Sequence, residues 1–540
     1  MKKLWLFLAF AVPLSTAFAQ TTQGIITGRV YDQKTGRAIK GASIACQNLE
    51  TGLMANAVSA EDGYYTVMRL TPGSYSMRVT GPATPEYQPR EAYELELFVA
   101  GLIRVDVPLR QSADTYSQSL YAGTYLPNSD YIVRTYLADL AAQVSQPLTV
   151  VSGLSGTLVS TLSYVVDPQQ VRDLPLSGRD IYTMVVMLPG VTADNATARG
   201  LGYSSNGQRS YSSNFLLDGV ENNDTLLSGP QTTIAPEATE EYRISTNNFS
   251  AEYGGAAGLV ANATTRAGSN SWHGVAYSYL NDTSLNANNY QNVAQSLPRQ
   301  PQTDIRVGFW TGSRIIRDRL FWSSAVEGFR SRGSTNPEAF QVPALSCFTP
   351  AIAGPIAISL LSRYPPPVPL GMGAPNCSQS LSVIYNSTIP LQFNSVLGLG
   401  RLDYISPSQR YRLLSRLAVS RYDQPDFIPS IYPGFSSNLG IDSTSATLAH
   451  LWSPRANVNN ELRFGYRNES QGWDRPNPDV PQLQVLSGFY SLPGSPTSAG
   501  FHYGVTNGDL SDLLTLAFGR QVLSIGGGVL VSRSNNQLTY

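Results

Sequence analysis

Charge is scarce in this 540-residue chain. Asp, Glu, Lys and Arg make up 14% of it, against about 25% in ordinary soluble domains. The net charge is −1, so there is no basic field for nucleic acid and no acidic tail. Cysteine and histidine are rarer still. Cys46, Cys347, Cys377, His273, His450 and His502 are scattered along the chain with no C-x-x-C spacing, which argues against a zinc site. Nucleophile–base motifs, H-x-x-E and phosphate-binding loops are also missing. The chain is therefore not expected to be an enzyme or to carry a cofactor. Beyond the first 19 residues no apolar run reaches about 18 residues, which excludes a helical membrane protein. Gly, Ser, Thr, Asn, Gln and Tyr stand where charge is missing. Hydrophobic residues still make up 42%, with 46 Gly and 30 Tyr. That balance suits a β protein with aromatic girdles and a polar, uncharged interior, and equally a secreted β-rich protein.

The first 19 residues read as an export signal. Lys2 and Lys3 form a basic start, residues 4–12 a short apolar run, and Ala17-Phe18-Ala19 a small-residue cleavage site, so the mature chain is expected to begin at Gln20. The run is too short to span a bilayer, and no Cys follows the cut to take a lipid. Any membrane residence must then come from a closed sheet, which satisfies its own backbone. Exported proteins meet an oxidising compartment. Cys347 and Cys377 flank a Pro-rich stretch and are the candidate disulfide pair, while Cys46 lies in a strand pattern and reads as a small buried hydrophobe.

Residues 20–110 alternate apolar and polar positions in short runs separated by turns. Strands are expected over residues 25–30, 42–46, 64–67, 74–79 and 97–107. Turns are expected at Thr35-Gly36, Thr51-Gly52, Asp62-Gly63 and Thr71-Pro72-Gly73. Such spacing suggests a small sandwich. The stretch "GRVYDQKTGRAIKGASI" through "EDGYYTVMRLTPGSYSMRV" resembles the carboxypeptidase regulatory-like domain, whose fold is a carbohydrate-binding-like β-sandwich. A rigid periplasmic spacer is the favoured role, and sugar or partner recognition the other.

Residues 111–160 read as a linker. Within it Leu148, Thr149, Val150 and Val151 form an extended run suited to strand addition by a partner. Residues 161–265 order their signals differently. A strand at Val165-Val166 is followed by a helix with Ser177 as its cap and Ile181, Met184, Val185 and Leu188 on one face. Pro189-Gly190 stops the helix. A Gly-rich loop, a strand into Asp218-Gly219 and a strand at residues 240–244 follow. "VRDLPLSGRDIYTMVVMLPGV", "NFLLDGV" and "EYGGAAGLVANATTRAGSNSWHG" together resemble the plug domain of TonB-dependent receptors. Asp218 reads as turn chemistry rather than as a catalytic acid, because no base or nucleophile stands near it in sequence. Tyr203, Arg209 and Tyr211 in the Gly-rich loop are the candidate ligand-facing residues.

Residues 266–540 hold about nine candidate strands, starting near Trp272, with a hairpin around Arg317-Asp318. Gly312-Ser313-Arg314 stands where the family usually has Gly-Gly-Pro, and residues 333–392 read as a long extracellular loop. Asn535-Asn536-Gln537 looks too polar for a lipid-facing closing strand. Plugged outer-membrane transporters close with about 22 strands, so this tail is expected to be an incomplete barrel.

The resulting expectation is a mainly β chain: an N-terminal β-sandwich, an α+β plug and a partial antiparallel transmembrane β-barrel. It would sit in a bacterial outer membrane with sandwich and plug on the periplasmic side. What the resemblance implies is active uptake of a bulky nutrient, such as an oligosaccharide, a peptide or a metal chelate. A TonB-type energy-coupling complex would be the partner, outer-membrane lipid the surroundings, and carbohydrate a candidate ligand. Surface binding or adhesion without transport, and a truncated receptor without function, remain alternatives.

Overall fold

The structure is a computed structural model. It describes residues 23–98, 101–112, 149–152, 162–166, 170–171, 177–194, 202–224, 226, 229–247, 249, 252–366, 377, 382–425, 430–432, 434–455, 457–474, 477–480, 500–518 and 521–539. The export signal, most of the linker and Leu148 lie outside these residues.

The N-terminal part is a sandwich of seven strands: β1 (Gly24–Asp32), β2 (Ser43–Asn48), β3 (Met54–Val58), β4 (Tyr64–Leu70), β5 (Gly73–Thr80), β6 (Arg90–Leu97) and β7 (Leu102–Leu109). One sheet runs β3-β2-β5-β6. The other runs β4-β1-β7 and takes on β8 (Thr149–Ser152) at its edge. Alternation in β1 and β7 turns Ile26, Val30, Val105 and Val107 inward, onto Ile44, Cys46, Met77 and Val79 of the facing sheet. The Tyr65 hydroxyl donates to the Val105 carbonyl at 2.6 Å, so its polar end is satisfied inside this core. One strand was expected over residues 97–107. The chain instead breaks there, with the Gly101 amide donating to the Phe98 carbonyl at 2.8 Å, and gives two strands, β6 and β7. Strand β3, Met-Ala-Asn-Ala-Val, carries too little apolar contrast to stand out in the sequence.

Gly28 marks the tightest approach between β1 and β7. A Cβ there would sit 1.8 Å from the Val105 carbonyl oxygen, and backbone does not yield as a flexible side chain does. Gly28→Ala is expected to destabilise the sandwich by about 3 kcal/mol, by forcing its central strands apart. Chemical denaturation followed through the sandwich tyrosines checks it. A loss below about 1 kcal/mol would mean that the strands tolerate the added methyl.

The plug contains β9 (Leu162–Val166), β10 (Val191–Asp194), β11 (Gly202–Ser205), β12 (Asn214–Leu217), β13 (Val220–Glu221), β14 (Asn223–Asp224), β15 (Gly229–Pro230), β16 (Thr239–Asn247) and β17 (Val260–Thr265). Its main sheet runs β13-β12-β17-β16-β9. A 3-10 helix, Ile181–Met187, lays Ile181, Tyr182, Met184 and Val185 on that sheet. The cap differs from the expected Ser177. Gly178 turns left-handed (φ 64°), which ends a separate short turn at Ser177–Arg179. Asp180 then accepts from the Tyr182 amide at 2.9 Å and starts the helix.

The last part is a nine-stranded antiparallel sheet. Its strands are β18 (His273–Asp282), β19 (Gln302–Ile316), β20 (Leu320–Ser334), β23 (Pro390–Ile405), β24 (Tyr411–Pro425), β25 (Asn438–Arg455), β26 (Val458–Trp473), β27 (Gly500–Phe518) and β28 (Gln521–Thr539). Among the described residues the sheet is open, with β18 and β28 as its edges. The pleat is inverted relative to a water-soluble sheet. In β26, Glu461, Arg463, Arg467, Glu469 and Gln471 are buried, while Leu462, Phe464 and Tyr466 between them are exposed. Polar inward and apolar outward is what a strand needs with lipid on one side. No helix among the described residues is long and apolar enough to cross a membrane.

Several local expectations change here. Gly312-Ser313-Arg314 lies within β19; the turn follows it at residues 317–319, with Asp318 left-handed (φ 60°). Asn535-Asn536-Gln537 is strand, paired in β28 with Gly504, Tyr503 and His502. The long loop has internal structure: β21 (Glu338–Pro343) pairs with β22 (Ser382–Ser387), and a helix spans Pro355–Arg363. Cys347 and Cys377 are disulfide-bonded in that loop, with Cα atoms 5.3 Å apart, and Cys46 is free and buried.

Short turns follow β19, β23, β25 and β27, and the long connections lie at the opposite end. In outer-membrane barrels the short turns are periplasmic. The sandwich meets the short-turn end: Asn270 donates to the Thr51 carbonyl, Arg69 donates to the Gln409 carbonyl at 2.6 Å, and Leu53 packs with Phe321 and Ile405.

Candidate functional site between plug and barrel

The plug is held by the inward faces of the barrel strands, and the contact is mostly polar. Its apolar part is modest: Trp310, Ala325, Leu399 and Ala418 of the barrel join the core that contains Phe215, Leu217, Tyr242 and Ile244. Tyr182 sits at the centre of that core, edge-on to Phe215 and Tyr242 with ring centroids 5.9 and 5.6 Å away.

Asp218 anchors the polar part. It and Gly219 both turn left-handed (φ 52° and 72°), as a two-residue hairpin between β12 and β13 requires. The turn buries the carboxylate at 2% exposure, where it accepts from the Thr265 amide at 2.8 Å and the Thr265 hydroxyl at 2.9 Å. Two barrel arginines meet it: Arg416 Nε at 3.0 Å and Arg401 Nη1 at 3.7 Å. Arg401 also donates through two nitrogens to both oxygens of Asp403, each at 2.8 Å. Arg416 also donates to Ser445 and to the Leu217 carbonyl. Turn chemistry was the sequence reading of Asp218. The structure adds that the same carboxylate is the counter-ion of a buried arginine pair.

Two more clusters flank it. Arg467 of β26 pairs with plug Glu221 at 3.1 Å and lies 3.9 Å from Asp509 of β27. Barrel Arg306 pairs with Glu327 and donates to the plug carbonyl of Gly178 at 2.9 Å; the Tyr277 hydroxyl donates to Glu327 at 2.8 Å. Plug Arg179 pairs with plug Glu237 and lies 4.2 Å over the ring of barrel Tyr279. Burial pushes the nearby Asp180 carboxyl up to about 6, against the lowering effect of its bond from the Tyr182 amide.

The candidate ligand-facing residues separate. Tyr203 is buried at 4% exposure and packs on Phe215, so it belongs to the plug core rather than to a ligand surface. Tyr211 is 69% exposed, and Arg209 precedes the short 3-10 turn Ser210–Ser212. Thr149, Val150 and Val151 do not stand free: β8 pairs antiparallel with β7 of the sandwich, so a partner strand would compete with that pairing. Arg401, Arg416, Arg467 and Glu327 escaped the sequence reading. Their signal was present, as charges at every second position of apolar strands, and Glu461-Leu462-Arg463-Phe464 shows it plainly.

Residues 264–539 match the family described as Outer membrane beta barrel domain, residues 159–260 the TonB-dependent Receptor Plug Domain, and residues 25–110 the Carboxypeptidase regulatory-like domain. The chain belongs to the TonB-dependent receptor family. This receptor is an outer-membrane protein, with its plug seated on the inner face of the barrel sheet. The TonB-dependent transporter Oar of Myxococcus xanthus is 22% identical to it over 320 residues, covering 57% of this chain and 27% of Oar. The outer membrane transporter YddB from Escherichia coli superposes with a TM-score of 0.47 at 11% identity, over 69% of this chain and 48% of YddB. The siderophore receptor PirA from Acinetobacter baumannii gives 0.45 at 16% identity, over 69% and 48% of the two chains. The receptor chain thus spans 27% of its curated relative and 48% of each of these solved proteins.

Proposed function

We propose that this receptor takes part in energy-coupled import of a bulky nutrient (an oligosaccharide, a peptide or a metal chelate) across the outer membrane. The proposal rests on the character of the plug–barrel contact. A wholly apolar contact would oppose release by the full cost of re-exposing its surface to water. Buried ion pairs specify one position while adding little net stability, because desolvation offsets much of their attraction. Asp218 with Arg416 and Arg401, and Glu221 with Arg467, fit a plug that seats uniquely and still leaves or rearranges on demand. The energy would come from a TonB-type complex on the periplasmic side, where the sandwich and the residue 149–152 strand lie next to each other. Carbohydrate remains a candidate ligand for the sandwich.

The test is growth on single nutrients, and uptake of the labelled nutrient, in cells making the whole receptor with and without their TonB-type complex. Uptake that requires both supports import. Nutrient binding at the cell surface that is indifferent to the complex would replace import with the adhesion or binding reading.

A further inference from the structure

We propose that the seam between the sandwich and the periplasmic rim of the barrel is an anion site, built around Arg412 with Arg69 beside it and sized for a phosphate-class oxyanion. A cavity of about 100 Å³ lies in this seam, lined from the sandwich by Asn48, Thr51 and Thr71 and from the barrel by Arg412. It has room for several waters or one small anion.

Arg412 carries the argument. It is an inward position near the periplasmic end of β24, only 9% exposed, and its Nε and Nη1 have no hydrogen-bond partner among the described residues. The other arginines lining the cavity are matched. Arg266 faces Glu240 at 3.6 Å, Arg401 is bidentate on Asp403, and Arg463 pairs with Glu461. Of the remaining acids of the lining, Asp218 is held by Arg416 and Arg401, and Glu50 is exposed on a sandwich turn. The acid nearest in effect, Asp403, is already bidentate with Arg401, so Arg412 shares its charge without bonding to it. A buried guanidinium with unbonded donors is costly, and a bound anion would offset that cost.

A second cation is brought beside Arg412, behind the cavity wall, by an independent device. Along β4, Val67 and Met68 are both buried, so the strict alternation fails, and pairing with β1 shifts register beside it. Arg69 takes up the irregularity with a left-handed backbone (φ 71°), which a residue with a side chain seldom adopts. Bulges of this kind re-aim side chains. This one sends Arg69 across the seam to the Gln409 carbonyl, beside Arg412. Burial and the neighbouring Arg412 charge together push the Arg69 guanidinium down to about 10. Paired guanidinium forks are matched by the oxygens of a phosphate. The headgroup of a periplasmic-leaflet phospholipid and free phosphate share that chemistry.

The test is isothermal titration of the full chain in maltoside, first with inorganic phosphate and then with dihexanoylphosphatidylglycerol, at fixed ionic strength. Saturable binding is expected, weakened at least about tenfold in Arg412→Gln and in Arg69→Gly. Arg69→Gly removes only the side chain, since Gly accepts the left-handed backbone; it keeps the test open if Arg412→Gln fails to fold. Arginine-dependent binding of inorganic phosphate assigns the site to the free ion. Arginine-dependent binding of the lipid alone assigns it to a headgroup. Binding of neither, or equal binding by both variants, overturns the proposal.

Discussion

Asp218→Asn is expected to destabilise the plug–barrel contact by about 3–5 kcal/mol, the cost of leaving buried charges without their partner. The substitution is a clean probe. Asn tolerates the left-handed backbone of the turn, and its side-chain oxygen can still accept from the Thr265 amide. What it removes is the negative charge between Arg416, whose side chain is 0% exposed, and Arg401, at 7%. Arg401 keeps Asp403, so the uncompensated charge falls chiefly on Arg416. Urea unfolding of the refolded chain in detergent gives the magnitude. Adding Arg416→Met to Asp218→Asn should recover most of the loss, because a neutral apolar pair carries no unpaired ion. A loss below about 1 kcal/mol for the single variant would mean that the pair is screened by water, as at a surface.

The order of domains was legible because each writes a different period. The sandwich alternates over short runs with turn residues between them. The plug adds a helix-spaced face at Ile181, Met184 and Val185. The barrel strands are longer, 15 residues in β19, β20 and β24, and alternate through much of that length. Strand edges were less legible. Only part of β25 and of β27 was expected, residues 445–451 and 513–516, because their ends trade apolar residues for Ser, Thr, Asn and Gly. Those residues weaken the pattern in sequence but pair normally in a ladder whose backbone bonds are indifferent to side chain. The site was the least legible part. Asp218 and Arg416 are 198 residues apart in sequence, and no local rule joins them. Tyr203 misled for the opposite reason. A tyrosine in a Gly-rich stretch reads as a solvated loop residue, yet β10 and β11 pair there and fold its ring onto Phe215.

The polar character of the seat also fixes what a covalent tether should do. Thr232 of the plug and Ser443 of β25 are both buried, and their hydroxyl oxygens are 2.5 Å apart. Thiols in the same places would be close enough to oxidise. The background is favourable: Cys347 and Cys377 already pair with each other, and Cys46 is buried in the sandwich core. In the whole receptor, Thr232→Cys with Ser443→Cys is expected to cut uptake at least about tenfold when oxidised, and reductant should restore it. The two states differ by one bond, so folding and surface level are controlled within the same cells. Each single variant loses a hydroxyl pair worth about 1 kcal/mol and should transport almost normally. The outcome separates two pictures of the ion-pair seat. If the pairs at Asp218 and Glu221 are a releasable latch, a bond that cannot be released stops transport. If oxidation forms the disulfide, as a mobility shift on a non-reducing gel would show, and uptake continues unchanged, the plug does not leave the β25 wall. The buried arginines would then serve only to fix its position.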